Sequence, residues 1–145
     1  MATQAALQRY VRRALMIRAK ADATLTALVS VASINPDGEP AWPFVQFDVP
    51  RTQPLRLSCV KGATAQVDVH LFVGPREEAG NTVETGYDHA SRCAAALEAV
   101  ISDAWIDLED GSRARLRLSD TQMLRDAEPD AWHWFGQVNA RVLAE

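Results

Sequence analysis

The sequence is poor in cysteine, in histidine and in long apolar runs, and each shortage excludes a class of protein. Its two cysteines, Cys59 and Cys93, stand 34 positions apart. Neither belongs to a CxxC pair, so no zinc knuckle or disulfide framework can form, and both read as small buried apolar residues. The best apolar stretch, Ala27 to Ala32, contains Ser30, whereas a spanning helix needs about 18 consecutive apolar residues, so no membrane segment is expected. Gln4, Gln8, Arg9, Arg12, Arg13 and Arg18 interrupt the first twenty residues, which rules against a cleaved export signal. Gly62, Gly74, Gly80 and Gly86 are too widely spaced for a phosphate cradle, and no GxGxxG, P-loop or GxSxG motif occurs, so nucleotide and nucleophile-elbow enzymes are poor fits. His70, His89 and His133 have no second ligand at a local metal-binding spacing. Neither a metal nor a cofactor is expected.

What remains is a chain of 145 residues, 48% hydrophobic and 23% charged, the size and composition of one folded domain, 1–145, around a single core. Its net charge of -4 hides an asymmetry: residues 1–20 hold Arg9, Arg12, Arg13, Arg18 and Lys20 with no acidic residue, while the remainder holds ten basic and nineteen acidic ones. Such a split can steer subunits together, and it can equally be a solvated helix face.

Residues 3 to about 18 repeat Leu7, Tyr10, Val11 and Ala14 at helical spacing, and Arg18 on the apolar side predicts the end of that helix. Asp22 then caps a short second helix. The run Asn35-Pro36-Asp37-Gly38-Glu39-Pro40 is a strong breaker. From Pro43 the period becomes two, with Val45, Phe47 and Val49 on one face and Phe44, Gln46 and Asp48 on the other, and Pro50 and Pro54 close the strand. Ala65 to Val73 alternates most clearly, with Ala65, Val67, Val69, Leu71 and Val73 inward and Gln66, Asp68, His70 and Phe72 outward. Arg76 to Gly86 reads as a long polar loop. Asp88 caps a third helix reaching about Ala104, whose apolar stripe includes Cys93 and Leu97. Trp105–Glu109 and Arg113–Met123 form a hairpin across Asp110-Gly111, and Trp132 to Leu143 alternates as the last strand. The fold class is α+β: a mainly antiparallel four- to five-stranded sheet packed against two to three helices.

The chemistry offered by these elements is sparse. His89 and Cys93 are four apart on the third helix, yet Cys93 falls on its buried stripe, which favours packing over a base and thiol pair. Asp107, Glu109 and Asp110 cluster at a hairpin instead of facing one another across a cleft, as glycosidase carboxylates do. Arg113, Arg115 and Arg117 line one side of a strand and need water, phosphate or acidic partners. No aromatic residues alternate with them, and the sequence pI of about 5.4 opposes a dedicated nucleic-acid binder. Phe72 and Phe135 point outward, with Trp42 near in sequence, so a second layer or another chain should cover that face.

Three segments together resemble a known family: Trp42-Pro43-Phe44-Val45-Gln46-Phe47; Leu57-Ser58-Cys59-Val60-Lys61-Gly62 leading into Ala65-Gln66-Val67-Asp68-Val69-His70-Leu71-Phe72; and the alanine-rich helix Ala90 to Ala104. Over about residues 5–142 the chain resembles the small tail terminator, or tail completion, proteins of long-tailed phages, prophage-derived particles and gene transfer agents. The resemblance implies a non-enzymatic subunit, made in the bacterial cytoplasm, that assembles as a hexameric ring at the tail–neck junction. There it would cap the tail tube protein and meet the head or neck connector protein, while DNA passes through without specific binding. The expected subunit or tube interface is Phe72, Phe135, Arg76, Glu77, Glu78, Arg113, Arg115 and Arg117, and the expected channel lining Glu77, Glu78, Glu84, Asp107, Glu109 and Asp110. Two alternatives stay open: another connector or tube component of the same particle, or a small ligand-binding or enzymatic domain. The last would use Gln46, Asp48 and His70 in a cavity between sheet and helices.

Overall fold

The computed structural model describes residues 3–56 and 61–143; the expectation for Cys59 lies outside them. Helix α1 spans Gln4–Ala21, and its Thr3 cap accepts a hydrogen bond from the amide of Ala6. Leu7, Val11, Leu15 and Ala19, four residues apart, are fully buried. The helix does not end at Arg18. Its guanidinium instead leaves the apolar stripe to donate from Nε to the carbonyl of Val100 at 2.6 Å, pairing one of the acceptors orphaned at the end of helix α3, Gly86–Ile101. Helix α2, Ala23–Thr26, begins where Asp22 accepts from the amide of Leu25 at 2.9 Å.

Eight strands follow among the described residues: β1 Phe44–Phe47, β2 Arg51–Arg56, β3 Lys61–Val73, β4 Arg76–Glu78, β5 Asn81–Glu84, then after α3 β6 Trp105–Asp107, β7 Arg113–Arg125 and β8 Trp132–Leu143. Five run in the order β1-β3-β8-β7-β6, and β2 pairs with β3 on the same edge as β1, giving a six-stranded antiparallel sheet. Strand β2 lies where prolines predict a stop. Pro54 sits opposite Ala63 in an edge strand, where a missing amide donor is tolerated. Strand β1 ends at Phe47, so Val49 does not share the buried face with Val45 and Phe47 but is 71% exposed.

The segment expected as a polar loop is the β4–β5 hairpin. Its turn residues Ala79 and Gly80 both have positive φ, 52° and 80°, the type I′ pattern that matches strand twist. Helix α3 starts two residues before Asp88, with Thr85 as its cap accepting from the Asp88 amide. It stops at Ile101, ahead of Asp103 in the left-handed region. Gly86 lies so close to the β7–β8 turn that a Cβ there would collide with the carbonyl oxygen of Asp130. In the β6–β7 turn, only Gly111 takes positive φ, and the loop closes by a bond from the Leu108 amide to the Ser112 carbonyl at 2.8 Å.

The helices cover one face of this sheet. Val45 and Phe47, Ala65 through Val73 at alternate positions, Ala114 and Leu116, and Val138, Ala140 and Val142 are buried there with Leu97 and Ile101 of α3. Each large side chain so buried contributes roughly 1.5–3 kcal/mol.

Candidate functional site

Among the described residues no helix covers the opposite face of the same sheet, and strand register sorts its side chains into three zones. At the end near β1, Phe44, Phe72, His133 and Leu124 lie side by side across four strands. Phe44 stacks on Phe72 at 4.7 Å, Phe72 stacks on His133 at 4.2 Å, and Trp42 meets both phenylalanines edge-on. Phe44 is buried in this cluster, Phe72, His133 and Phe135 are half-buried and Trp42 is exposed, so Phe72 and Phe135 do point outward, but no second layer of the described residues covers them.

The next row, Gln46, His70, Phe135 and Gln122, leads into an acidic and amide zone containing Asp48, Asp68, Gln137 and Asp120. His70 bridges the two zones: its Nε2 lies 2.9 Å from Asp48 Oδ2 and its Nδ1 2.8 Å from His133 Nε2. A carboxylate only accepts, so a neutral His70 donates from Nε2 to Asp48 and accepts at Nδ1 from His133. Burial, then the adjacent His70, hold His133 below the usual histidine pKa. Asp48 and His70 thus meet on the bare face, turned away from the helices. They do not converge in a cavity between sheet and helices, as the enzymatic alternative requires, and Gln46 beside them is exposed.

The third zone is arginine. Arg117 lies opposite Asn139, which is opposite Gln66, and Gln66 accepts from Arg51 at 2.8 Å. Trp105, Arg115, Arg141 and Thr64 form the adjacent row, placing two arginines directly opposite each other. Like charges so placed repel unless a counter-charge arrives. Local compensation is thin: Arg113 Nε reaches Asp107 at 3.2 Å, Arg115 comes no nearer than 3.9 Å to Asp103, and both guanidinium groups lie over the Trp105 ring. Arg115 Nε is shielded from solvent and, among the described residues, has no hydrogen-bond partner. Leu55, Trp105 and Leu143 complete the walls of an open cleft of about 720 Å³ here. The expected trio Arg113, Arg115 and Arg117 is therefore joined by Arg51, Arg141 and Trp105, which sequence reasoning missed.

The acidic residues expected to line a channel fall into two groups. Glu77, Glu78 and Glu84 belong to the β4–β5 hairpin beyond the Val73 end of β3, where Arg76 pairs with Glu78 at 2.8 Å. Glu84 takes two bonds from Arg92, at 2.7 and 3.0 Å, which hold its carboxyl below the usual range. Asp107, Glu109 and Asp110 sit at the β6–β7 turn, beyond the opposite end of the ladder that runs from Gly62–Leu143 to Val73–Trp132. Those ends are roughly 36 Å apart at 3.3 Å per residue.

The helix-borne pair is structural. His89 is buried and shares a hydrogen bond of 2.9 Å between its Nδ1 and the Gly74 carbonyl, while burial pushes the Cys93 thiol up to about 11, the reverse of an activated nucleophile. Among the described residues, no group of three or more His, Cys, Asp and Glu is placed to hold a metal, and no helix is long and apolar enough to cross a membrane.

This small α+β chain covers one sheet face with its own helices and, among the described residues, leaves the other without a covering helix. Residues 13–143 match the family model described as Tail completion protein gp17, and the chain belongs to that family of structural phage tail proteins, which are not enzymes. No curated protein matches it. Among solved structures, it is similar to a chain from the virion of a native gene transfer agent (GTA) particle, with a TM-score of 0.74 and 22% identity over 94% of this chain and 96% of that one.

Proposed function

We propose that this protein is a tail terminator: copies close into a hexameric ring on the tail tube, stop its growth and join it to the head or neck connector in a phage-like or gene-transfer particle. The observation that carries this reading is the bare sheet face, in a family of tail completion proteins, with aromatic and arginine zones at its two ends. A ring requires a heterologous contact, two different patches of one subunit meeting around the circle, and this chain offers different patches at opposite ends of one sheet. Synthesis in the bacterial cytoplasm and assembly at the tail–neck junction follow from that role.

DNA crosses such a ring. A lining that neutralised phosphates would release counterions and hold the duplex, so the lumen is acidic or mixed. Asp107, Glu109 and Asp110, gathered at one turn, suit that lining; Glu84 is already held by Arg92, and Glu77 and Glu78 suit subunit contacts. Light scattering of the purified protein over a wide concentration range, followed by imaging with added tail tube protein, tests the reading. A closed ring seated on tube ends is expected. A strict monomer that leaves tube length unchanged contradicts it.

A further inference from the structure

Among the described residues the β4–β5 hairpin stands apart from the main sheet, its two strands pairing with each other. Every residue from 76 to 83 is exposed, including the apolar Val83. A two-stranded ribbon alone is marginally stable in water. Two bonds from Arg92 to Glu84 tie its base to helix α3, and Glu84 also pairs with Arg76 within the ribbon. Its tip carries Glu77 and Glu78. At the other end of β3 lies the arginine cleft, with Arg115 and Arg141 opposed and short of counter-charge, and with Trp105 and Leu55 as apolar walls. The two surfaces complement each other in charge and in apolar character, yet the length of the sheet separates them, so one chain cannot satisfy its own cleft.

Building on the ring reading above, we infer that the β4–β5 hairpin of one subunit docks into the arginine cleft of the next, with Glu77 and Glu78 facing Arg115, Arg117 and Arg141 and Val83 against Trp105. This is the heterologous contact that closes the ring. It supplies the opposed arginines with carboxylates and gives the exposed ribbon a surface to rest on.

Two charge-reversed proteins test it: Glu77→Arg with Glu78→Arg, and Arg115→Glu with Arg117→Glu. Sedimentation over a concentration series should show each reversal weakening self-association at least about tenfold, since like charges then meet at the contact. An equimolar mixture of the two should restore it, because every hairpin then meets a cleft of opposite sign around an alternating ring, and misfolded chains could not complement in this way. If the wild type forms rings and either variant does so equally well, or the mixture recovers nothing, the pairing is overturned while the ring stands. A wild type that never associates removes both. Salt-sensitive binding of random-sequence duplex DNA by the wild type, lost in the Arg115→Glu, Arg117→Glu protein, would assign the cleft to phosphate backbones instead.

Discussion

The two faces of one sheet follow different rules. On the covered face, every alternate residue of β3 from Ala65 to Val73 is fully buried against the helices, so side-chain volume governs and charge is absent. On the bare face, the intervening residues of the same strand, Gln66, Asp68, His70 and Phe72, are half-buried and belong to basic, acidic and aromatic zones in turn. The first face holds the subunit together. The second is patterned along its length into the zones that the proposed ring contact would use.

Four perturbations sharpen that contrast, the strongest first. Leu97→Ala, on the covered face, should lower unfolding free energy by about 2–5 kcal/mol in urea titrations, through lost transfer energy and a residual cavity. Gly86→Ala should cost about 1–3 kcal/mol by overpacking, because the new methyl would meet the Asp130 backbone; melting curves would register it. Phe135→Ala, on the bare face, should cost only about 1 kcal/mol, the scale of an aromatic contact, while reducing ring formation in light scattering. A loss as large as that of Leu97→Ala would erase the distinction between the faces. The smallest effect is in pH. Because folding holds the His133 pKa down, the unfolded chain takes up this proton first, so the contribution is complete above about pH 6.5 and is lost as pH falls through the lower folded value. Asp48 at His70, and Asp126 near His133, face this pair. Urea stabilities across pH 5–8 should show that slope, reduced in His133→Gln; an unchanged slope contradicts the assignment.

Legibility in the sequence followed locality. Strand β8 was readable to its ends, Trp132–Leu143, because six alternating inward positions carry the signal unaided. Strand β2 was hidden by Pro54, whose cost vanishes at an edge, and an edge is a property of the finished sheet. The β4–β5 hairpin was hidden because Ala79 gives no hint of its left-handed backbone. Arg18 signals a helix end only if its guanidinium stays near its own helix, and it reaches a carbonyl 82 residues away. The site divides likewise. Arg113, Arg115 and Arg117 share a strand and were visible together, whereas Arg51 and Arg141 join them through cross-strand register. Asp48, His70 and His133 meet only because β1 and β8 flank β3.

The most direct test is electron cryomicroscopy of a particle assembled with this chain. The account predicts a ring of six copies at the head-proximal end of the tail tube, each arginine cleft filled by a neighbour's β4–β5 hairpin and each bare sheet face covered by protein. A chain found elsewhere in the particle, or a ring whose bare faces stay open to solvent, would contradict it.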